Sequence, residues 1–496
     1  MREVMALRDE RQQAIAGHPF FEWLHSDRAP LEERLTFAPM GAFFIMQFCD
    51  MNRWVLRFPE SRDEYRWVIN TGTYEDETHS RLFMEEWRRL ALDKRLGWRA
   101  SDMLWWLFLS PDQEVFRRSG IEFTALAVED DDDPLVRFGH SEGGEATGHV
   151  MLSNTARVAA ALLERTGTEY RYFGDHHLTL ESGHVANIEG VFETAKLDPA
   201  RRAKAMELCG RMFDIFERVF DGFHAYARMY VETGTVPVRP DDRPRQAEDS
   251  WSAAPAVVRP ADIRDTEVWN RLNARKARAA AHPFYAWLAD ENGLPARQKL
   301  QRFVPMWLVD VFGYRDLNKY AMTYPHPQSA AQREINAWAE RLSRHSALFL
   351  DDWDALELDD VLNLSAGETL EFVFLDRDMD LHREHMIEFA KLALRHSDPA
   401  VRWWLMTALE STGEAFFANV APLARAAERE TGVRLDYLAG RHDPVTGPPA
   451  AGAPPEPLTG ETQRVALELM DTVFDAMESQ LTLSLSIARA NKFGVS

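Results

Sequence analysis

Three clusters of carboxylate and imidazole side chains carry the chemical possibilities of this chain. The sharpest is His176-His177-Leu178-Thr179-Leu180-Glu181-Ser182-Gly183-His184. On a helix, His177, Glu181 and His184 stand at i, i+4 and i+7, one face over two turns, so three metal-ligand types would point the same way. Imidazole with carboxylate suits borderline divalent ions such as iron, manganese or zinc, and does not suit a thiolate-bound soft metal. A second cluster is Glu75-Asp76-Glu77-Thr78-His79, where Asp76 lies three and Glu75 four residues before His79. Either pair makes an acid-plus-His edge of the kind that carboxylate-bridged di-iron bundles turn inward. In the third, His140 to His149, Glu145 shares a helix face with Glu142 and with His149, and small residues around it would let another element approach closely. The competing reading of each cluster is a solvated helix face or a capped first turn. Asp130 to Asp133, just ahead of Pro134, read as a solvated, helix-initiating acidic loop.

Together the clusters offer what a dinuclear iron site needs: bridging carboxylates for charge balance, a His for each metal, and open positions for O2 and substrate. Nucleotide motifs are absent, with no Gly-x-Gly-x-x-Gly after a strand and no phosphate-loop Gly-Lys-Ser/Thr. There is also no Gly-x-Ser-x-Gly elbow of a serine hydrolase.

The elements that must hold these residues are written twice. His18-Pro19-Phe20-Phe21-Glu22-Trp23-Leu24 returns as His282-Pro283-Phe284-Tyr285-Ala286-Trp287-Leu288. Ile69-Asn70 with His79-Ser80, Leu82-Phe83 and Trp87 returns at identical spacing as Ile335-Asn336 with His345-Ser346, Leu348-Phe349 and Trp353. Glu145-Ala146-Thr147-Gly148 returns as Glu410-Ser411-Thr412-Gly413. From His18 through His79 and Glu145 to His177 the steps are 61, 66 and 32 residues; from His282 through His345 and Glu410 to His442 they are 63, 65 and 32. A register kept over such distances marks two homologous domains, far longer in period than any solenoid repeat. Their expected bounds are 1–236 and 261–496, joined by a Pro-rich linker, 237–260; the stretch from Val236 to Pro260 holds five prolines.

Helical periodicity runs throughout. Leu31 to Arg57, Thr73 to Leu92, Gly148 to Arg165, Ala200 to Glu232, Arg333 to Trp353, Pro399 to Glu430 and Gly460 to Lys492 all place apolar residues at three- and four-residue steps. Several begin after Pro or a capping Asp or Ser, and no alternating strand or hairpin dipeptide stands out. The expected fold is all-α, two tandem helical bundles, with aromatic pairs such as Trp105-Trp106 and Phe43-Phe44 as core or pocket lining.

The 496 residues include 57 Lys+Arg against 79 Asp+Glu, a formal charge of −22. That balance repels phosphate backbones and anionic lipid heads, so the expected partner is a small molecule or a protein, not nucleic acid or a membrane. Cys49 and Cys209 are too few for a disulfide framework or a thiolate metal site. The start has no apolar signal core, and the longest strongly apolar run, Gly41 to Phe48, is too short to span a bilayer. A cytoplasmic protein is the expectation.

The ligand pattern resembles that of the heme-oxygenase-like di-iron oxidases and oxygenases, an all-α superfamily with ligands on three core helices. The resemblance implies two Fe(II) ions with O2 as cosubstrate, and an amine, amino-acid or fatty-acid substrate undergoing N-oxygenation, desaturation or carbon–carbon scission. It implies that His177, Glu181 and His184 are the ligands of the third core helix, Glu145 that of the second and His79 that of the first. The chain departs from the family where the first-helix Glu should stand, about two turns before the His, since that position is Gly72. Asp76 or Glu75, each one turn from His79, would substitute.

In the second copy His345, Glu410 and His442 persist, but Glu75-Asp76 become Arg341-Leu342, and His442-Asp443-Pro444 opens a loop with six prolines from Pro444 to Pro457. A helix cannot run through that loop, so Glu181 and His184 have no equivalents. This copy is expected to be metal-free and structural, with Arg341 placing a cation where a carboxylate once faced metal, and to mimic the partner of a homodimeric ancestor as an intrachain pseudo-dimer. The expected activity is an O2-dependent di-iron oxygenation or oxidation of a small amine or amino-acid-like substrate, served by an external reductant. The alternatives are a mononuclear zinc hydrolase built on His177, Glu181 and His184, and a non-catalytic helical scaffold.

Overall fold

The computed structural model describes residues 1–180, 191–192, 195–240, 266–290, 293–441 and 458–495. Every regular element among them is helical, and the fold is all-α; the sole β feature among the described residues is an isolated antiparallel bridge between Arg99 and Ser365. No helix among them is long and apolar enough to cross a membrane.

Capping chemistry sets the long central helices. Asp133 accepts from the Leu135 N–H, Pro134 fills the first turn, and Gly167 closes Pro134–Thr166 in the left-handed conformation at φ 73°. In the other half Asp398, Pro399 and Gly432 do the same for Pro399–Thr431. Each sequence therefore writes its own start and stop. Pro134–Thr166 packs against Pro199–Tyr226, with Arg2–Ile15 on both. The approach is close because of glycine: a Cβ at Gly143 would lie 3.2 Å from the Cys209 carbonyl oxygen, and one at Gly139 3.0 Å from Ala205.

The chain divides into two compact units, Met1–Arg239 with Ser365–Leu375, and Pro240–Leu364 with Asp376–Ser496. The stretch 365–375 falls inside the expected second domain but packs within the first unit. Its helix, Ala366–Phe374, starts on a capping box in which Ser365 and Glu368 exchange bonds. Asp93 fastens that start, accepting from the Gly367 N–H at 2.7 Å and the Ser365 hydroxyl at 3.1 Å, while also accepting from Trp87 Nε1 at 2.9 Å. Farther along, Glu371 pairs with Arg88, and Phe374 meets Phe43 edge-on at 5.8 Å.

Two expected continuous helices are broken. Thr73 to Leu92 divides into Glu64–Asp76 and His79–Arg89, and Arg333 to Trp353 into Ala330–Leu342 and Ser346–Ala355. Side-chain hydroxyls capture the last carbonyls: Thr78 Oγ1 donates to Glu75 O at 2.8 Å, and Ser343 Oγ to Glu340 O at 2.8 Å. Leu31 to Arg57 also divides, into a short 3-10 turn, the helix Ala38–Asp50 and a π-turn, Met51–Leu56. The acidic loop needs a correction. Asp133 does cap its helix, but Asp130 is buried, with Arg137 Nε at 2.7 Å and His140 Nε2 at 3.0 Å from its Oδ2, because the buried Arg137 guanidinium requires a carboxylate beside it. These bonds hold its carboxyl below the usual range despite burial.

Candidate functional site

The first unit encloses a cavity of about 140 Å³, and Asp76, His79, Glu145 and His177 all line it. Four separate elements deliver them. Asp76 ends Glu64–Asp76, His79 begins His79–Arg89, and Glu145 sits within Pro134–Thr166. His177 lies on a helical turn over 175–180. Phe44, Phe123, Phe216 and Phe223 supply the apolar wall. Of the four aromatic residues expected as core or lining, Phe44 faces this space, while Phe43 packs on Phe108 and Phe374, and Trp106 is buried with its indole N–H on Pro39 O.

The two imidazoles meet. His177 Nδ1 lies 2.9 Å from the Tyr172 carbonyl, which can only accept, so this nitrogen carries the proton and Nε2 presents a lone pair. That Nε2 is 3.2 Å from His79 Nδ1, with ring centroids 4.2 Å apart, and His79 Nδ1 is 3.9 Å from Asp76 Oδ1. A ring fixed by a backbone carbonyl on one nitrogen and offering the other to a cavity is how proteins present metal-binding histidines.

The segment that carries Tyr172 is itself anchored. Glu86, fully buried, accepts from the Arg171 N–H at 2.9 Å and from Arg89 Nη1 at 3.0 Å. Burial pushes its carboxyl up from the ordinary value, the bonds to Arg171 and Arg89 opposing without cancelling. Phe83 stacks edge-on against Tyr172 at 5.2 Å.

Other expected residues lie elsewhere. Glu75 is exposed, so of the pair before His79 it is Asp76 that reaches the cavity. Glu181 and His184 lie outside the described residues. In the third cluster, Glu142 pairs with Arg8 at 2.7 Å and His140 with Asp130, both holding the fold together. Burial pushes the Cys209 thiol up to about 12, which leaves it inert. Among the described residues no three His, Cys, Asp or Glu side chains gather tightly enough to hold a metal ion. The described part thus brings two imidazoles and two carboxylates to one cavity without closing a coordination shell. In kind, this donor set fits a borderline divalent ion.

The second unit has its own cavity, about 420 Å³, lined by His345 and Glu410 at the registers of His79 and Glu145. Leu342, at the register of Asp76, lines it; Arg341 is not among its lining residues, so the expected cation in place of the carboxylate does not arise there. His442 lies outside the described residues. Sequence reasoning passed over Asp310, His382 and Gln480, which form a part-buried hydrogen-bonded cluster in this unit. The repeat held the signal: offsets of 266 residues put Asp310 opposite Phe44 and His382 opposite Phe116. No protein-family model matches the chain, and no curated protein matches it.

Proposed function

We propose that the first unit is an O2-dependent non-heme di-iron oxygenase or oxidase acting on a small amine or amino-acid-like substrate. The observation that supports this most is the facing pair His79 and His177 on a cavity that Asp76 and Glu145 also line. His79, Asp76, Glu145 and His177, with Glu181 and His184 from beyond the described residues, would hold the metal. When bound, two ferrous ions would supply the electrons with which O2 is activated for oxidation of the substrate.

The chain's own residues have distinct tasks in this proposal. The Tyr172 carbonyl keeps the His177 proton on Nδ1, so that Nε2 turns its lone pair toward His79 and the cavity. Asp76 and Glu145 supply negative charge that balances cations in an otherwise apolar space. The phenylalanine wall excludes water and so limits side reactions. At about 140 Å³ the cavity is well below the roughly 300–1,000 Å³ of sites for drug-sized ligands, which favours a small substrate. The helix Ala366–Phe374, given by the second copy to the first unit, supports a stabilising role for that copy.

Metal analysis of protein produced with iron is the test. About two irons per chain are expected, together with a transient visible absorption when the ferrous protein meets O2. His177→Ala and His79→Ala should each lose at least half of the iron, whereas His149→Ala should retain it. One zinc with no O2 reaction would replace the proposal with a mononuclear hydrolase, and no stoichiometric metal would leave a scaffold.

A further inference from the structure

The second unit's cavity has about three times the volume of the first unit's, 420 against 140 Å³. Its walls are aromatic, with Trp307, Phe349, Phe389, Phe416 and Tyr437 lining it. Into this apolar space come polar groups that the first unit lacks. Phe44 and Phe116 meet in the first unit at 6.2 Å between ring centroids. Their counterparts are Asp310 and His382, and Asp310 Oδ2 accepts from His382 Nδ1 at 2.5 Å. Gln480, at the register of Val219, donates from Nε2 to Asp310 Oδ1 at 2.6 Å. The exchange spans three helices, Leu308–Asp316, Arg377–Arg395 and Gly460–Ala490.

A fourth position moved with them. In the first unit Gly41 lies under the Phe223 ring, which a Cβ would meet at 2.9 Å. In the second, Trp307 stands at the Gly41 register and Ser484 at that of Phe223, and Trp307 Nε1 donates to Ser484 Oγ at 3.1 Å. Large and small have traded places, and the indole N–H is satisfied. Placing a part-buried carboxylate with a buried imidazole and a buried amide where phenylalanine and valine sufficed costs stability unless each is bonded. A copy that only lost its metal has no use for it. A bonded carboxylate on the wall of a roomy aromatic cavity is what a ligand site requires.

His382 has no exposed surface and, among the described residues, its Nε2 has no hydrogen-bond partner, so the Nδ1–H tautomer, which donates to the Asp310 carboxylate, is the one that strands no N–H. Burial lowers the pKa of nearby His385, leaving it neutral. Of the other charged lining groups, Glu414 is countered by Lys276 and Arg315 pairs with Asp316 at 3.2 Å, while Arg425 donates to the Ala439 carbonyl at 3.1 Å, leaving one guanidinium against the carboxylates of Asp310 and Glu410. Glu410 is a second carboxylate, accepting from Trp338 Nε1, and burial beside it keeps the Tyr314 phenol protonated as a neutral donor. Carboxylate charge framed by aromatic faces attracts cations by ion pairing and through the ring quadrupoles.

We propose that the second unit's cavity binds a small organic cation, an amine whose ammonium meets Asp310 and whose apolar body lies among the aromatic walls. This site needs no metal and stands apart from the proposal for the first unit. Titration calorimetry on the full chain with three probes of one shape, phenethylamine, phenethyl alcohol and phenylpropionate, tests it. The amine should bind at least about tenfold more tightly than the alcohol or the acid. Gly413 lines the cavity, and among the described residues nothing lies within 4 Å of an added Cβ, so Gly413→Leu should fill the space, hold or raise Tm, and abolish amine binding. Asp310→Asn should reduce the amine to the level of the alcohol. Absence of amine binding, equal binding of the three probes, preference for the acid, or amine binding that survives Gly413→Leu would each overturn the proposal.

Discussion

The aim of the His177 ring traces back to a buried acid. Glu86 takes the Arg171 N–H, the segment it anchors presents the Tyr172 carbonyl, and that carbonyl fixes the tautomer of His177. The second unit repeats the device, with buried Asp352 accepting from the Leu438 N–H at 2.7 Å. Burial raises both carboxyls. For a raised carboxyl the folded state binds the proton more tightly, so the stability it contributes is full below the unfolded value, near 4.5 for Glu86, and is lost as pH rises through the folded one. Glu86→Gln removes that dependence. The Tm of the parent minus that of Glu86→Gln should therefore fall as pH is raised from about 4 to about 8; a flat or rising difference contradicts this role. At this scale the sequence made His79, Glu145 and His177 legible as candidates because their types and spacing are local properties. The choice between Asp76 and Glu75 was not, since it turns on where a helix ends, and Asp130 was misjudged because its partners, Arg137 and His140, lie across a turn.

Helices were legible where their caps are written beside them, as at Asp133-Pro134 and Asp398-Pro399. The break between Asp76 and His79 was not, because the apolar pattern continues across it while Thr78 and Arg57 take the freed carbonyls of Glu75 and Thr73. The helix Ala366–Phe374 teaches the same lesson about packing: periodicity shows which face is apolar, not which core receives it. Its hold depends on Asp93, which bonds Trp87, Ser365 and the Gly367 N–H at once. Asp93→Ala should lower unfolding free energy in urea by about 2–3 kcal/mol, the scale of lost bonds to a charged acceptor. A change below about 0.5 kcal/mol would show that the helix is held without it.

For the whole molecule, the repeat announced two related halves, while the division into units crosses them. A fragment ending at residue 236 lacks the helix that covers Phe43 and caps on Asp93. It should melt at least about 5 °C below the first transition of the full chain, and a peptide of residues 365–375 supplied in trans should recover part of that loss. A fragment as stable as the full chain, with full iron content, would remove the need for the second copy as a scaffold. The same helix also imposes an order on biosynthesis. The first unit is not complete until residue 375 of 496 has emerged from the ribosome, so its earlier helices must wait with an apolar groove uncovered while the following stretch is translated. Nascent chains stalled before and after that residue should differ in protease resistance over the first 239 residues, and the interval between is when a chaperone has most to bind.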